Sequence, residues 1–281
     1  MERIESRLEL KRRIDYLKSA GKVVGLVPTM GSLHDGHISL IKIAKEHCDV
    51  VICSIYINPT QFNDQKDFEK YPKNLSFDLE VLENVGCDVA FTPNVEEMYP
   101  GGIKNTEYDI GSIGEVMEGK FRKGHFNGVI QVVKRLFDLV DPDIAVFGMK
   151  DFQQLAVIYW MTDYFKYNIK IIGAPIFRES DGLAMSSRNV RLSNIEREIA
   201  TNLSKTLFYI RDNYKHIPLL ELKKRAKEQL KEVDSLTLEY LEIADTTNLQ
   251  AVSNIDSANS AGVFIAAKVG EVRLIDNVVL F

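Results

Sequence analysis

The 281-residue sequence has little cysteine, few histidines and no long apolar run. Its three cysteines, Cys48, Cys53 and Cys87, are odd in number and lack C-x-x-C spacing. That excludes a disulfide scaffold and reads as free, buried thiols of a reducing compartment. The longest apolar stretch, residues 50–57, is eight residues broken by Ser54, far short of the ~20 that a membrane helix needs. At the N-terminus Glu2, Glu5, Glu9 and Asp15 alternate with basic residues and no apolar segment follows, so no signal peptide is expected and the protein is placed in the cytoplasm. Positive charge is not in excess: 35 Lys plus Arg against 40 Asp plus Glu leave a formal charge of −5. Neither nucleic acid nor an anionic membrane finds global electrostatic support as a partner. Internal repeats and low-complexity tracts are also missing.

What is present is ordinary for a globular chain, with 45% apolar and 27% charged residues, enough for a substantial core in one large domain or two modest ones. Over the first 175 residues, short apolar runs alternate with helix-like periodic segments, the pattern of a parallel sheet covered by helices. Strands are expected at 22–27, 49–57, 88–92, 143–147 and 169–172, with helices between them near 38–44, 75–85, 129–140 and 151–165. Past Pro175 the pattern changes. Ser193-Asn-Ile-Glu196 is a capping-box signature for a long helix, a second helix is expected near 219–233, and strands near 237–243, 262–269 and 271–280. These place a domain boundary at 174–176, with residues 1–175 in an α/β domain and 176–281 in a smaller α+β domain.

The most informative segment is Val27-Pro-Thr-Met-Gly-Ser-Leu-His-Asp-Gly-His37, which joins the first expected strand to a helix. A helix N-terminus at the carboxyl end of a parallel strand offers unpaired N–H groups and a positive dipole end to an anion. Gly31 and Gly36 carry G-x-x-x-x-G spacing, but His37-Ile38 stands where a P-loop has Lys-Ser/Thr, so that reading fails. His34 and His37, three residues apart, share a face of the first turn, where they can donate to a phosphate gaining charge in a transition state. The same pair also fits simple capping. A zinc pair is poorly supported, because the other histidines, His47, His125 and His216, form no cluster with cysteine. The acidic-basic stretch 221–231 is read as a solvated helix face.

The segment Pro28-Thr-Met-Gly-x-Leu-His-x-Gly-His37 resembles the HIGH-type signature of the nucleotidyltransferase superfamily, in the longer form of the pantothenate synthetase (pantoate–β-alanine ligase) family. The resemblance extends over nearly the whole chain. It includes Asn58-Pro-Thr-Gln-Phe62, Tyr71-Pro72, Gly124-His-Phe126, Phe147-Gly-Met-Lys-Asp-Phe-Gln-Gln-Leu155 and Asp181-Gly-Leu-Ala-Met-Ser-Ser-Arg-Asn189. It implies a Rossmann-like N-terminal domain that binds ATP and pantoate, a smaller C-terminal lid, and a site in the cleft between them. The implied reaction has two steps: pantoate attacks the α-phosphate of ATP to give pantoyl adenylate and pyrophosphate, then the β-alanine amine displaces AMP.

By this resemblance His34, His37, Lys150, Ser187 and Arg188 are the catalytic residues. ATP is bound by Met30, Gly31, Ser32, Leu33, His34, Asp35, Gly36 and His37, by Gly148, Met149, Lys150 and Asp151, by the main chain of Phe177, and by Met185, Ser186, Ser187 and Arg188. Their types suit the task, since a lysine is a point charge for phosphate and an arginine clamps it bidentately. Met185-Ser-Ser-Arg188 is similar to the mobile KMSKS loop of related adenylate-forming enzymes, and also fits a polar linker. Gln61 and Gln154 match the pantoate-binding glutamines, Gln61 also meeting β-alanine; neutral amides bond hydroxyl and carboxylate without neutralising the nucleophile. Arg122, Lys123 and His125 form a basic cluster that is assigned no role. Some relatives carry adjacent carboxylates after the Tyr-Pro pair, whereas here Phe77 precedes Asp78. No protein metal site is therefore expected, and Mg²⁺ would come with ATP, held by phosphates and water. A homodimer is implied as well. The alternatives are another HIGH-motif nucleotidyltransferase and a non-catalytic nucleotide-binding regulator.

Overall fold

The computed structural model describes residues 1–62, 65–104 and 106–281. They form two compact units. The first contains residues 1–110, 122–149 and 154–175; the second contains 111–121, 150–153 and 176–281. Two short segments inside the range 1–175 thus belong to the second unit.

In the first unit the elements run β1 (Glu2–Ile4), α1 (Arg7–Ser19), β2 (Val24–Thr29), α2 (Asp35–His47), β3 (Val50–Ile55), α3 (Gln65–Lys70), α4 (Leu75–Asn84), β4 (Val89–Phe91) and α5 (Val95–Met98). After α6 (Met117–Phe121), which belongs to the second unit, come α7 (His125–Val140), β5 (Ile144–Gly148), most of α8 (Phe152–Tyr164) and β6 (Lys170–Ala174). The sheet is parallel in the order β1-β4-β3-β2-β5-β6, with Val24 opposite Val50 and Gly25 opposite Ile144. Strands β2 and β3 are buried almost throughout, which explains why both read as apolar runs rich in Val and Ile or Leu without polar alternation: both faces are covered by helices. The helices show the complementary pattern. In α7, Phe126, Val129, Ile130, Val133, Phe137 and Val140 are buried at helical spacing, and α2 buries Leu40, Ile41 and Ala44.

The expected strands and helices of this region are all present, and the structure adds β1 and α1 ahead of them. β1 buries only Ile4, so three residues carry too little alternation to read as a strand. Its partner β4 completes it through pairing of Glu2 with Val89 and Ile4 with Phe91.

The second unit holds α9 (Asn194–Asn213), α10 (Leu219–Lys231), β7 (Leu236–Asp245), β8 (Ala261–Val269) and β9 (Val272–Val279). The three strands form an antiparallel sheet in sequence order. Leu203, Leu207, Ile210, Leu222, Leu230, Leu241, Val263 and Ile265 pack in one core between the sheet and the two helices. The capping box opens α9 as expected: Ser193 N donates to Glu196 Oε2 at 2.8 Å and Glu196 N to Ser193 Oγ at 3.3 Å.

Polar bonds tie the two inserted segments into this unit. Glu118 of α6 is buried and accepts from Arg273 Nη1 and Nη2 at 2.9 and 2.6 Å and from Tyr240 Oη at 2.8 Å. Arg273 also donates to Glu239 at 2.8 Å. Burial and then the Glu118 carboxylate push the Tyr240 hydroxyl well above its ordinary value. Gln153, also buried, donates to the Ile113 and Val116 carbonyls at 2.6 and 2.9 Å and accepts from Glu118 N at 2.8 Å. Both ends of its amide are thereby committed to the inserted segment.

Candidate active site

Strand order reverses between β2 and β5, since the chain moves outward from β2 through β3 on one side and from β5 to β6 on the other. In an open parallel sheet this switch point, outside the carboxyl ends of the strands, is where ligands bind. The segment after β2 is built for such a place. Thr29 Oγ1 donates to Ser54 O at 2.7 Å and accepts from Gly31 N at 3.2 Å. Gly31 and Ser32 then take left-handed conformations, φ +77° and +52°, which turn the chain sharply from strand toward helix. Leu33 drives its side chain into the core beside Val27, Ile41 and Val146, worth ~1.5–3 kcal/mol of apolar burial.

Asp78, on the first turn of α4 and 1% exposed, accepts from Ser32 N at 2.9 Å and Leu33 N at 2.7 Å. His34 follows as the N-cap of α2 in extended conformation, with His37 at the third helical position. The His34 main-chain N–H donates to His37 Nδ1 at 3.3 Å, which leaves the proton of the neutral His37 ring on Nε2. The two imidazoles lie with centroids 4.0 Å apart and planes tilted by 39°. The expected pairing on one face is therefore present, and the helix backbone engages His37 through Nδ1 rather than through the protonated nitrogen.

The turn after β3 carries Gln61. Asn58, fully buried, donates from Nδ2 to Thr60 Oγ1 at 2.9 Å and to Gly128 O at 3.0 Å, and accepts from Tyr99 Oη at 3.3 Å. Burial pushes the Tyr99 hydroxyl upward, so it stays a donor. Gly128 on α7 packs so closely that a Cβ there would lie 2.3 Å from Thr60 O. The Gln61 carbonyl accepts from Arg122 Nη2 at 3.2 Å and pairs with His125 Nδ1 at 2.8 Å, while His125 Nε2 lies 3.1 Å from Arg122 Nη1. A guanidinium only donates, so Nε2 is the acceptor and Nδ1 carries the proton to Gln61 O. Arg122 and His125, two members of the basic cluster that the sequence leaves unassigned, thus fix the main chain of Gln61. The Gln61 and Gln154 side-chain amides are half-buried and bond to none of the described residues, which leaves their donors and acceptors for a ligand.

In the second unit Lys150 and Asp151 stand in the short helical turn Met149–Asp151, their charged groups 3.9 Å apart. Asn277 Nδ2 holds the Lys150 carbonyl at 2.9 Å. Phe177 is exposed, and its carbonyl accepts from Met185 N at 2.9 Å, closing a hairpin in which Arg178 bridges to Ala184. Arg178 is clamped bidentately by buried Asp276 at 2.7 and 2.9 Å. Arg197 grips Glu179 and Asp181, and buried Asn189 donates to Glu179 Oε1 at 2.7 Å and Ala184 O at 3.1 Å. Ser186 Oγ accepts from Arg188 N at 3.3 Å. The Met185–Arg188 turn therefore sits on a charged scaffold, which a free polar linker does not need.

Among the described residues no group of three or more His, Cys, Asp or Glu side chains could hold a metal ion. Asp78, the one carboxylate left of the adjacent pair, has both oxygens bonded to main-chain N–H groups. Among the described residues, then, Asp78 has no oxygen left over for a protein-held Mg²⁺.

A parallel sheet with a switch point, crossed there by a strand-to-helix turn with two histidines at the helix N-terminus, defines the class of nucleotide-binding α/β enzymes. The sequence model of the pantoate-beta-alanine ligase family matches residues 2–279, and the chain belongs to that family. It is 48% identical over 279 residues to the pantothenate synthetase of Phocaeicola vulgatus, covering 99% of both chains. To the pantothenate synthetase of Porphyromonas gingivalis it is 46% identical over 279 residues, again 99% of both. Among solved structures, the pantothenate synthetase from Thermus thermophilus superposes with a TM-score of 0.94 at 36% identity over the full length of both chains. The pantoate-beta-alanine ligase of Francisella tularensis, complexed with beta-gamma ATP and beta-alanine, gives 0.83 at 35% identity over 100% of this chain and 98% of that one.

Proposed function

We propose that the chain condenses (R)-pantoate with β-alanine to pantothenate at the expense of ATP, releasing AMP and pyrophosphate. The reading is carried by the His34–His37 pair at the N-terminus of α2, in a chain matched to the ligase family from residue 2 to 279. In the first step a pantoate carboxylate oxygen attacks the α-phosphorus and the bond to the bridging oxygen breaks, so that pyrophosphate leaves with the charge. His37 Nε2–H and His34 meet the charge that builds on the phosphate, and Lys150, Ser187 and Arg188 are the other residues assigned to catalysis. The helix N-terminus at Asp35–His37, the loop Met30–Leu33, the turn Gly148–Asp151, the Phe177 main chain and the Met185–Arg188 turn bind the nucleotide. In the second step the β-alanine amine attacks the acyl carbon, the bond to AMP breaks, and the amine loses a proton.

Gln61 and Gln154 receive pantoate, and Gln61 also meets β-alanine. Their unused amides support this: a phosphorylated co-substrate, as in other nucleotidyltransferases, would call for basic side chains there. Mg²⁺ enters with ATP, bound by its phosphates and water, and no step is assigned to it. The protein acts as a homodimer in the cytoplasm. Three free cysteines support a reducing compartment, and among the described residues no helix is long and apolar enough to cross a membrane.

The test is pyrophosphate and AMP release from Mg-ATP and pantoate, first without β-alanine and then with it. Near-stoichiometric pyrophosphate alone, followed by turnover and pantothenate on addition, is the expected result. ATP binding with no pyrophosphate in either case would replace the ligase by a non-catalytic nucleotide-binding protein.

A further inference from the structure

The Asp78 carboxylate has no place in the reaction above, yet it is the most completely enclosed charge beside the nucleotide loop. It comes from α4, 45 and 46 positions away along the chain from the two residues it binds. Its two oxygens accept separately from two successive main-chain N–H groups, Ser32 at 2.9 Å and Leu33 at 2.7 Å. Those groups sit where the backbone is least able to hold itself: Gly31 and Ser32 are both left-handed, a conformation that costs free energy for a residue with a side chain. A Cβ on Gly31 would stand 2.8 Å from Asp78 Oδ2, so the loop lies directly against the carboxylate.

Resting on the ligase reading, we infer that Asp78 is a positioning residue for adenylation: it clamps the Gly31–Leu33 turn and thereby aims the His34–His37 end of α2 at the triphosphate. A corollary is that Ser32 and Leu33 do not offer their main-chain N–H groups to ATP, because Asp78 already occupies them. An amide at position 78 supplies one acceptor where two are needed, and its NH₂ would face an N–H donor. Asp78→Asn is therefore a near-isosteric change that releases one end of the clamp.

The experiment compares native chain and Asp78→Asn in two half-reactions: pyrophosphate release from Mg-ATP and pantoate, and aminolysis of supplied pantoyl adenylate by β-alanine. A loop displaced by about 1 Å lowers the first about 10- to 100-fold, with KM for ATP raised, while aminolysis stays within about twofold. A folded Asp78→Asn chain with native pyrophosphate release overturns the inference, and so does parallel loss of both half-reactions. A native chain that makes no pyrophosphate sinks the ligase reading instead. If Asp78→Asn does not fold, amide exchange in the ligand-free native chain decides: protection of Ser32 and Leu33 amides matching β2 is expected, and exchange at open-loop rates overturns the clamp.

Discussion

Gly128→Ala tests how the turn carrying Gln61, proposed to receive pantoate, is held. The added Cβ would stand 2.3 Å from Thr60 O, 2.6 Å from Thr60 C and 3.0 Å from Gln61 N. Van der Waals contact needs ~3.5 Å, so α7 and the Asn58–Gln61 turn must separate by about 1 Å. Both neighbours are main chain, so no side-chain rotation relieves the conflict. Overpacking of this kind costs about 1–3 kcal/mol, and the separation also weakens the 3.0 Å bond from Asn58 to Gly128 O. Gln61 moves with the turn, and if it positions pantoate as proposed, a displacement of about 1 Å lowers rate up to about 100-fold. The loop proposed to bind nucleotide is anchored elsewhere, by Leu33 in the core and Asp78 on α4. Initial rates of pyrophosphate release with pantoate and ATP varied separately should then show kcat/KM for pantoate down about 10- to 100-fold, with KM for ATP within about twofold. Native kcat/KM for pantoate in a folded Gly128→Ala chain would refute the reasoning.

Removing the His37 ring takes away the Nε2–H donor, and His37→Ala should lower single-turnover adenylation by at least about 100-fold, the scale of a lost transition-state donor; quench-flow measures it. Glu118→Ala leaves Arg273 and Tyr240 without their shared acceptor in the second unit and should cost about 3 kcal/mol or more in urea unfolding. In alkali the buried thiols act together. Burial pushes Cys87 up from 9.0 to about 11 and Cys53 well above 9.0. Between pH 9 and 11 the folded chain keeps protons that the unfolded chain releases, so stability falls as pH rises, by about 1.4 kcal/mol per unit for each thiol. Denaturant midpoints across that range check it, and Cys53→Ala should flatten the slope. Light scattering after size exclusion should give a mass near twice 31.9 kDa; a monomer at micromolar concentration ends the dimer proposal.

The features legible in the sequence are those set by neighbours a few positions apart. Strand β2 read as buried because its run from Val23 to Val27 is apolar without alternation and ends at Pro28, and α9 announced its start because Ser193 and Glu196 are three residues apart. The His34–His37 pairing was equally local: a spacing of three on a helix forces two rings together whatever surrounds them. Family resemblance pointed to Gln154, which spacing alone would have left as an ordinary helix residue.

The anchors of the site were not legible, because each joins residues distant along the chain. Gln61 is fixed by Arg122 and His125, 61 and 64 positions away. The Glu118–Arg273 pair closes a separation of 155, and it assigns residues 111–121 to the unit that begins, in sequence terms, at residue 176. Nothing in a local pattern distinguishes these charges from solvated ones, since a carboxylate or guanidinium becomes an anchor only when the fold buries it beside a complementary group. The sequence by itself determined the helix that carries the two histidines and the order of the main strands and helices from β2 onward. The tertiary structure alone decided that Asp78 would hold the Gly31–Leu33 turn, since its partners are main-chain N–H groups exposed by the left-handed turn at Gly31 and Ser32.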